Sequence, residues 1–228
     1  MGDRYERRAY APQVEMLLRR PGIGHNGGPP FDMSWEAWTW RRAIAKAWKQ
    51  PKPEVARMRL DRAERLGITY RELTAVILDT GSYLSTAVLP LGLVARVKRE
   101  GDTGLRAEPR PEMAAKIARF GGRLFLLADL LLHGVLDEEA CAAMCAQLNS
   151  ALDDKVAAIG IAEPASGGRR DPRAEAVLRL LRNHGVPKQE AFFVGTGFAD
   201  VALAEAATVP LFKWAHEWFG DLPSLPPS

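Results

Sequence analysis

The second half of the chain alternates between two patterns. Four short apolar runs, GRLFLLADL (residues 122–130), KVAAIGI (155–161), AFFV (191–194) and VPLF (209–212), are too brief for helices and read as buried strands. Helical patterns fill the gaps. LDEEACAAMCAQLNSALDD opens at an acidic cap and sets Ala140, Met144, Leu148 and Leu152 on one stripe, and DPRAEAVLRLLRNHG has Asp171 as cap, Pro172 in the first turn and Gly185 as stop. ADVALAEAA supplies the third helix. Strands joined through helices cannot be hairpin partners, so the pattern predicts an α/β fold: a doubly wound, Rossmann-like parallel sheet with helices on both faces.

The first half reads differently. Residues 1–33 end in RPGIGHNGGPPFD, whose glycines and prolines continue neither a helix nor a sheet interior, so this is a flexible segment. The stretch from Gly24 to Gly27 resembles sequences near the N-termini of alphaproteobacterial and phage proteins, which points to a bacterial source. Residues 34–85 form a basic helical region: SWEAWTWRRAIAKAWKQ is serine-capped with Trp35, Trp38, Ile44 and Trp48 on one face, and two further helical patterns meet at LGIT in the manner of a helix-turn-helix. Residues 86–222 are then the α/β domain, and 223–228 a proline-rich tail.

Charge is local rather than global. The formal net charge is +3 over 228 residues, too small to argue for nucleic acid by itself. Between Arg41 and Glu72, however, ten basic residues face four acidic ones, a surface that suits phosphates, with Arg57, Arg62 and Arg65 as the contacting residues. Cys141 and Cys145 share a helical face without making a four-ligand metal site. Charges interrupt the start of the chain where a secretion signal needs an apolar core, and no run has membrane-spanning length, so a cytoplasmic protein with no membrane partner is expected.

Three pieces in order, PEMAAKIARFGGRLFLLADLLLHGVLDEEACAAMCAQLNSAL, GRRDPRAEAVLRLLRNHGVPKQEAFFVG and GFADVALAEAATVPLFKWAHEWFG, resemble the haloacid dehalogenase-like phosphatases. The likeness is to the branch without a large cap, which includes histidinol-phosphate and heptose-bisphosphate phosphatases, and it spans about Pro111 to Gly220. It implies an aspartate nucleophile after the first strand and a second aspartate two residues on. It further implies a hydroxyl residue and a basic residue for the phosphoryl group, and late-loop carboxylates for magnesium.

Several of those positions are altered, while the basic one and one late-loop acid are kept. In the late loop Thr196 replaces the first carboxylate while Asp200 keeps the second, so magnesium binding is weakened or lost. Ala128 or Asp129 stands at the hydroxyl position, and Arg169 or Arg170 at the basic one. The nucleophile has two candidate placements. Asp79 follows the apolar run TAVIL, with Gly81 in place of the second acid, although Arg71 to Leu84 also reads as a helix completing the helix-turn-helix-like unit. Alternatively Lys98 and Glu100 take the two acid positions. The zinc loop of part of this branch is absent, since IAEPASGG carries no cysteine or histidine.

Three functions follow as expectations. One is a catalytically degenerate phosphatase scaffold kept for binding a phosphorylated small molecule, a protein or a nucleic acid. The second is an active magnesium-dependent phosphomonoester hydrolase using Asp79 and Asp200. In the third, a nucleic-acid-binding protein acts through the basic helical region.

Overall fold

The computed structural model describes residues 51–100, 104–129, 136–161 and 171–220, with Arg42 and Leu132. The chain divides into two compact units, residues 1–52 and residues 53–228, and the elements described below belong to the second. The tryptophan-bearing helix expected over residues 34–50 lies outside the described residues, as do Arg169 and Arg170.

Two helices come first, α1 (Pro53–Leu66) and α2 (Tyr70–Thr80). Between them Gly67 takes a left-handed φ of 66°, and Ile68 N–H returns to the Ala63 carbonyl, which closes α1. Thr69 and Glu72 then form a reciprocal capping box, and left-handed Gly81 ends α2. This is the predicted helix-turn-helix-like pair, with Ala63, Ile68, Leu73 and Val76 buried. It does not stand apart as a region of its own, because both helices pack into the hydrophobic core that covers one face of the sheet.

The sheet has five parallel strands, one more than the apolar runs suggested. Strand β1 (Thr86–Pro90) leads into a single helical turn, α3 (Leu91–Val94), and then an antiparallel hairpin of β2 (Ala95–Glu100) and β3 (Gly104–Pro109). Next come α4 (Pro111–Arg119), β4 (Arg123–Ala128), α5 (Glu138–Asn149) and β5 (Val156–Ile161). The chain finishes with α6 (Pro172–Asn183), β6 (Ala191–Gly195), α7 (Phe198–Ala206), β7 (Phe212–Trp214) and α8 (Ala215–Phe219). The strand order is β5-β4-β1-β6-β7, and β1 pairs in parallel with both β4 and β6. The last strand begins at Phe212, three residues later than VPLF implied, because left-handed Thr208 and Pro210 hold the chain in a turn.

Period-two alternation divides the strands between two cores. Ala87, Leu89, Leu124, Leu126, Phe192 and Val194 face α1, α2, α4, α5 and α8, whereas Val88, Phe125, Leu127 and Phe193 face α6 and α7. The first core closes around Trp218, which is 1% exposed and lies edge-on to Phe120 (5.5 Å) and Phe192 (6.2 Å). Its indole N–H donates to the Leu66 carbonyl at 2.9 Å, so the last helix is fastened to the first across 152 residues.

Lys213 makes a second long-range link. On β7 and only 8% exposed, it pairs with Glu72 of α2 at 2.8 Å and with Glu217 at 3.0 Å. Burial alone would raise the Glu72 carboxyl, but hydrogen bonds from Lys213 and Thr69 outweigh it and hold the group below 4.5. Burial would lower Lys213, and its bonds to the two glutamates outweigh that, lifting it above 10.5.

Two stability tests follow. Trp218→Ala is expected to cost about 3–5 kcal/mol in urea unfolding, and Trp218→Phe, which keeps a ring but leaves the Leu66 carbonyl without its donor, about 1–3 kcal/mol. For Lys213→Met the expected loss is about 2 kcal/mol near neutral pH. A depressed carboxylate stabilises above its unfolded value and a raised lysine below its own, so the gap between wild type and variant should narrow at both extremes. It closes as pH falls through the depressed Glu72 carboxyl and as pH rises through the raised Lys213 ammonium.

Candidate site at the C-terminal edge of the sheet

In an open parallel sheet the crevice lies at the carboxyl ends of the strands, where neighbouring strands send their connections in opposite directions. Here that point is between β1, whose chain continues toward β4, and β6, whose chain continues toward β7. The residues ending β1 and β6 therefore define the site.

Strand β1 ends at Pro90. Extending the register from Val88 opposite Phe193 sets Pro90 level with Gly195. Proline offers neither an N–H nor a functional group, and it ends the ladder as the chain turns into α3. Two residues on is Gly92, exposed, where an added Cβ would meet nothing within 4 Å; its carbonyl accepts from Arg110 Nε at 3.0 Å. Neither residue stood out in the sequence, because neither carries a reactive group.

The loop after β6 closes on itself. Asp200 Oδ2 accepts the backbone N–H of Thr196 at 2.8 Å and of Gly197 at 3.3 Å, and it lies 3.5 Å from the Thr196 hydroxyl. The carboxylate thus caps the first turn of α7, a place that favours negative charge. The turn is tight enough that a Cβ on Gly195 would come within 2.4 Å of Asp200 Cβ, so only glycine fits there. Thr196 and Asp200 are brought together as the sequence suggested.

On the other side of β1, Ala128 ends β4 and is buried against Ile161 in register, and Asp129 follows it exposed. Besides Arg110 on the Gly92 carbonyl and Arg179 on the Ile161 carbonyl, the described residues bring Arg173 to this edge, a residue that the sequence did not single out. It sits in the first turn of α6, with Nη2 at 3.0 Å and Nε at 3.3 Å from the two Asp171 carboxylate oxygens. Its proton is held tightly, first by the bond to Asp171, against the effect of burial, with the charges of Asp200 and Asp129 adding to it. Burial pushes Asp171 up, but Arg173 outweighs it and holds the carboxyl below 3.8. A rim of rings flanks the loop, where Phe198 is 85% exposed and lies edge-on to Trp214 at 5.9 Å.

The remaining sequence candidates lie elsewhere. Asp79 is on the last turn of α2, not at a strand end, and seven residues later the chain enters the start of β1. It therefore stands at the N-terminal edge, a strand length of about 16 Å from the site. Lys98 and Glu100 belong to β2 of the hairpin, outside the parallel sheet, and Lys98 pairs across it with Glu108 at 2.6 Å. Arg57 and Arg65 are exposed on α1, and Arg62 is half-buried. Arg62 donates to the Leu84 carbonyl at 3.0 Å and covers the Tyr83 ring, and Arg65 donates to the Asp61 carbonyl while its stem packs on Gly121.

A groove of about 780 Å³ runs along β5, the sheet's edge, between α5 and α6. Cys141 and Cys145 line it. Burial pushes the Cys141 thiol up to about 11, which keeps it from acting as a thiolate at neutral pH. Among the described residues no cluster of three or more histidine, cysteine, aspartate or glutamate side chains is placed to hold a metal ion, and no helix is long and apolar enough to cross a membrane.

Comparison with models of known protein families finds no match, and comparison with curated proteins finds none either. Among solved structures, a hypothetical protein from Xanthomonas campestris aligns over 68% of this chain and 66% of its own, at 15% identity and a TM-score of 0.34.

Gly195→Ala is expected to lower stability by about 1–3 kcal/mol, since the new methyl must displace Asp200 and break its bonds to the loop. Thermal unfolding read by circular dichroism tests it; an unchanged midpoint would show that the loop is looser than its contacts imply.

Proposed function

We propose that this chain is a haloacid dehalogenase-like scaffold that does not transfer phosphoryl groups and serves in binding. What supports the scaffold is the parallel sheet with β1 at its centre and the Gly195–Asp200 turn following β6. The observation that carries the loss of chemistry is Pro90. A nucleophilic aspartate belongs after the first strand, and the position after which the ladder ends holds a pyrrolidine ring, with Gly92 where the second acid belongs.

The other roles fare no better. Ala128 cannot donate to a phosphoryl oxygen, and Asp129 beside it repels an anion. The residues do not fit magnesium: Pro90 and Gly92 offer it no side-chain oxygen, Thr196 brings no charge, and one oxygen of Asp200 already accepts two backbone amides. An active hydrolase built on Asp79 is disfavoured by the separation of Asp79 from Asp200. A binding role needs none of these groups, and the exposed ring of Phe198 beside Trp214 supplies contact area for a partner at the same edge.

Assayed with an aryl phosphate and magnesium, the protein should turn over at the rate of the uncatalysed reaction. Turnover above that rate, abolished by Asp129→Asn or Asp200→Asn, would overturn the proposal.

A further inference from the structure

Three carboxylates approach one edge of the sheet: Asp129 after β4, Asp171 before α6 and Asp200 in the first turn of α7. Such a gathering needs positive charge. We infer that this edge excludes divalent cations because its carboxylates are engaged from within: one oxygen of Asp200 closes its own loop, and the Arg173 guanidinium stands as a resident cation on Asp171. The inference rests on the functional reading above, from which comes the expectation that a metal once belonged here.

Two observations carry it. First, Asp200 Oδ2 is bound by the Thr196 and Gly197 amides at 2.8 and 3.3 Å, while its Cβ is wedged over Gly195. Turning that oxygen toward a metal would strand two amide donors at the start of a helix, a cost comparable to the coordination gained. Second, Arg173 is fixed rather than mobile. Its fork grips both oxygens of Asp171, and Asp171 in turn caps α6 by accepting the Arg173 N–H at 2.9 Å. Helix α6 packs over Val88, Phe125 and Phe193, so its first turn is held at the carboxyl ends of β4, β1 and β6. A guanidinium is charged at every accessible pH and cannot be displaced by raising it. A divalent ion entering here meets a fixed positive charge and a carboxylate that is already engaged.

The consequence is specific: restoring the missing carboxylate is not enough to restore metal binding. Thermal midpoints would be measured against magnesium and manganese for the wild type, Thr196→Asp, Arg173→Met and the double variant. The first two should not move. The double variant should rise by about 3 °C or more once the metal is tenfold above its dissociation constant. Thr196→Asp with Arg173→Lys, which keeps the charge, should behave like Thr196→Asp alone. A metal-dependent rise in the wild type, an equal rise in Thr196→Asp alone, or none in the double variant would each overturn the inference.

Should Arg173→Met not fold, the wild type and Thr196→Asp still decide the matter through the free manganese signal in electron paramagnetic resonance. It should stay undiminished with both, and its loss with either would overturn the inference. Because these readouts report binding and not turnover, metal uptake without hydrolysis would sink this inference alone. Hydrolysis that proceeds without any metal uptake would sink only the functional proposal.

Discussion

Everything in the sheet hangs on the double pairing of β1. Thr86, Ala87, Val88 and Leu89 are each fully buried, and the strand is laddered to β4 on one side and β6 on the other. Its side chains feed both cores in turn, Ala87 and Leu89 into one and Val88 into the other. A strand placed so must satisfy its backbone on both edges, and a proline inside it would leave a partner carbonyl without a donor. Pro90 is tolerated because it comes last. There it ends the ladder and starts the helical turn from which the hairpin emerges.

That arrangement explains what the sequence could and could not disclose. Strands β4, β5 and β6 were legible because each is an apolar run set off by glycine, lysine or a helix cap, and α6 because Asp171, Pro172 and Gly185 mark both its ends. Strand β1 escaped notice because TAVLP runs directly into LGLV, which makes strand and helical turn one unpunctuated apolar stretch. The hairpin escaped because four of the six residues in ARVKRE are charged, so its pattern reads as charge rather than as strand. At the site, Thr196 and Asp200 were visible from their spacing. Pro90 and Gly92 were not, since an absent functional group leaves no chemical signature, and Arg173 was masked by the adjacent Arg169 and Arg170.

The basic balance of the helical segment shows why composition needs geometry beside it. Arg62 reaches 22 residues along the chain to the Leu84 carbonyl, and the Arg65 carbonyl and side chain both serve the Gly121 turn before β4. These arginines join α1 to the start of β1 and to the approach of β4. Their stems supply packing, and the Arg62 head satisfies a carbonyl that no regular ladder reaches. Lys213 plays the same part from the other direction, bringing the edge strand to the capping box of α2 through Glu72. Charge that looks like a surface in the sequence is thus partly internal wiring.

A working phosphoryl-transfer site would hold its acids unsatisfied, poised for a metal and a substrate, and such groups destabilise the fold that carries them. The carboxyl edge of this sheet is arranged differently. Asp200 is spent on its own helix, Asp171 on Arg173 and on the cap of α6, and Pro90 on ending a strand. Each of these groups meets a polar partner or closes a turn, so the side chains that gather at the carboxyl edge of the sheet serve to hold that edge in place.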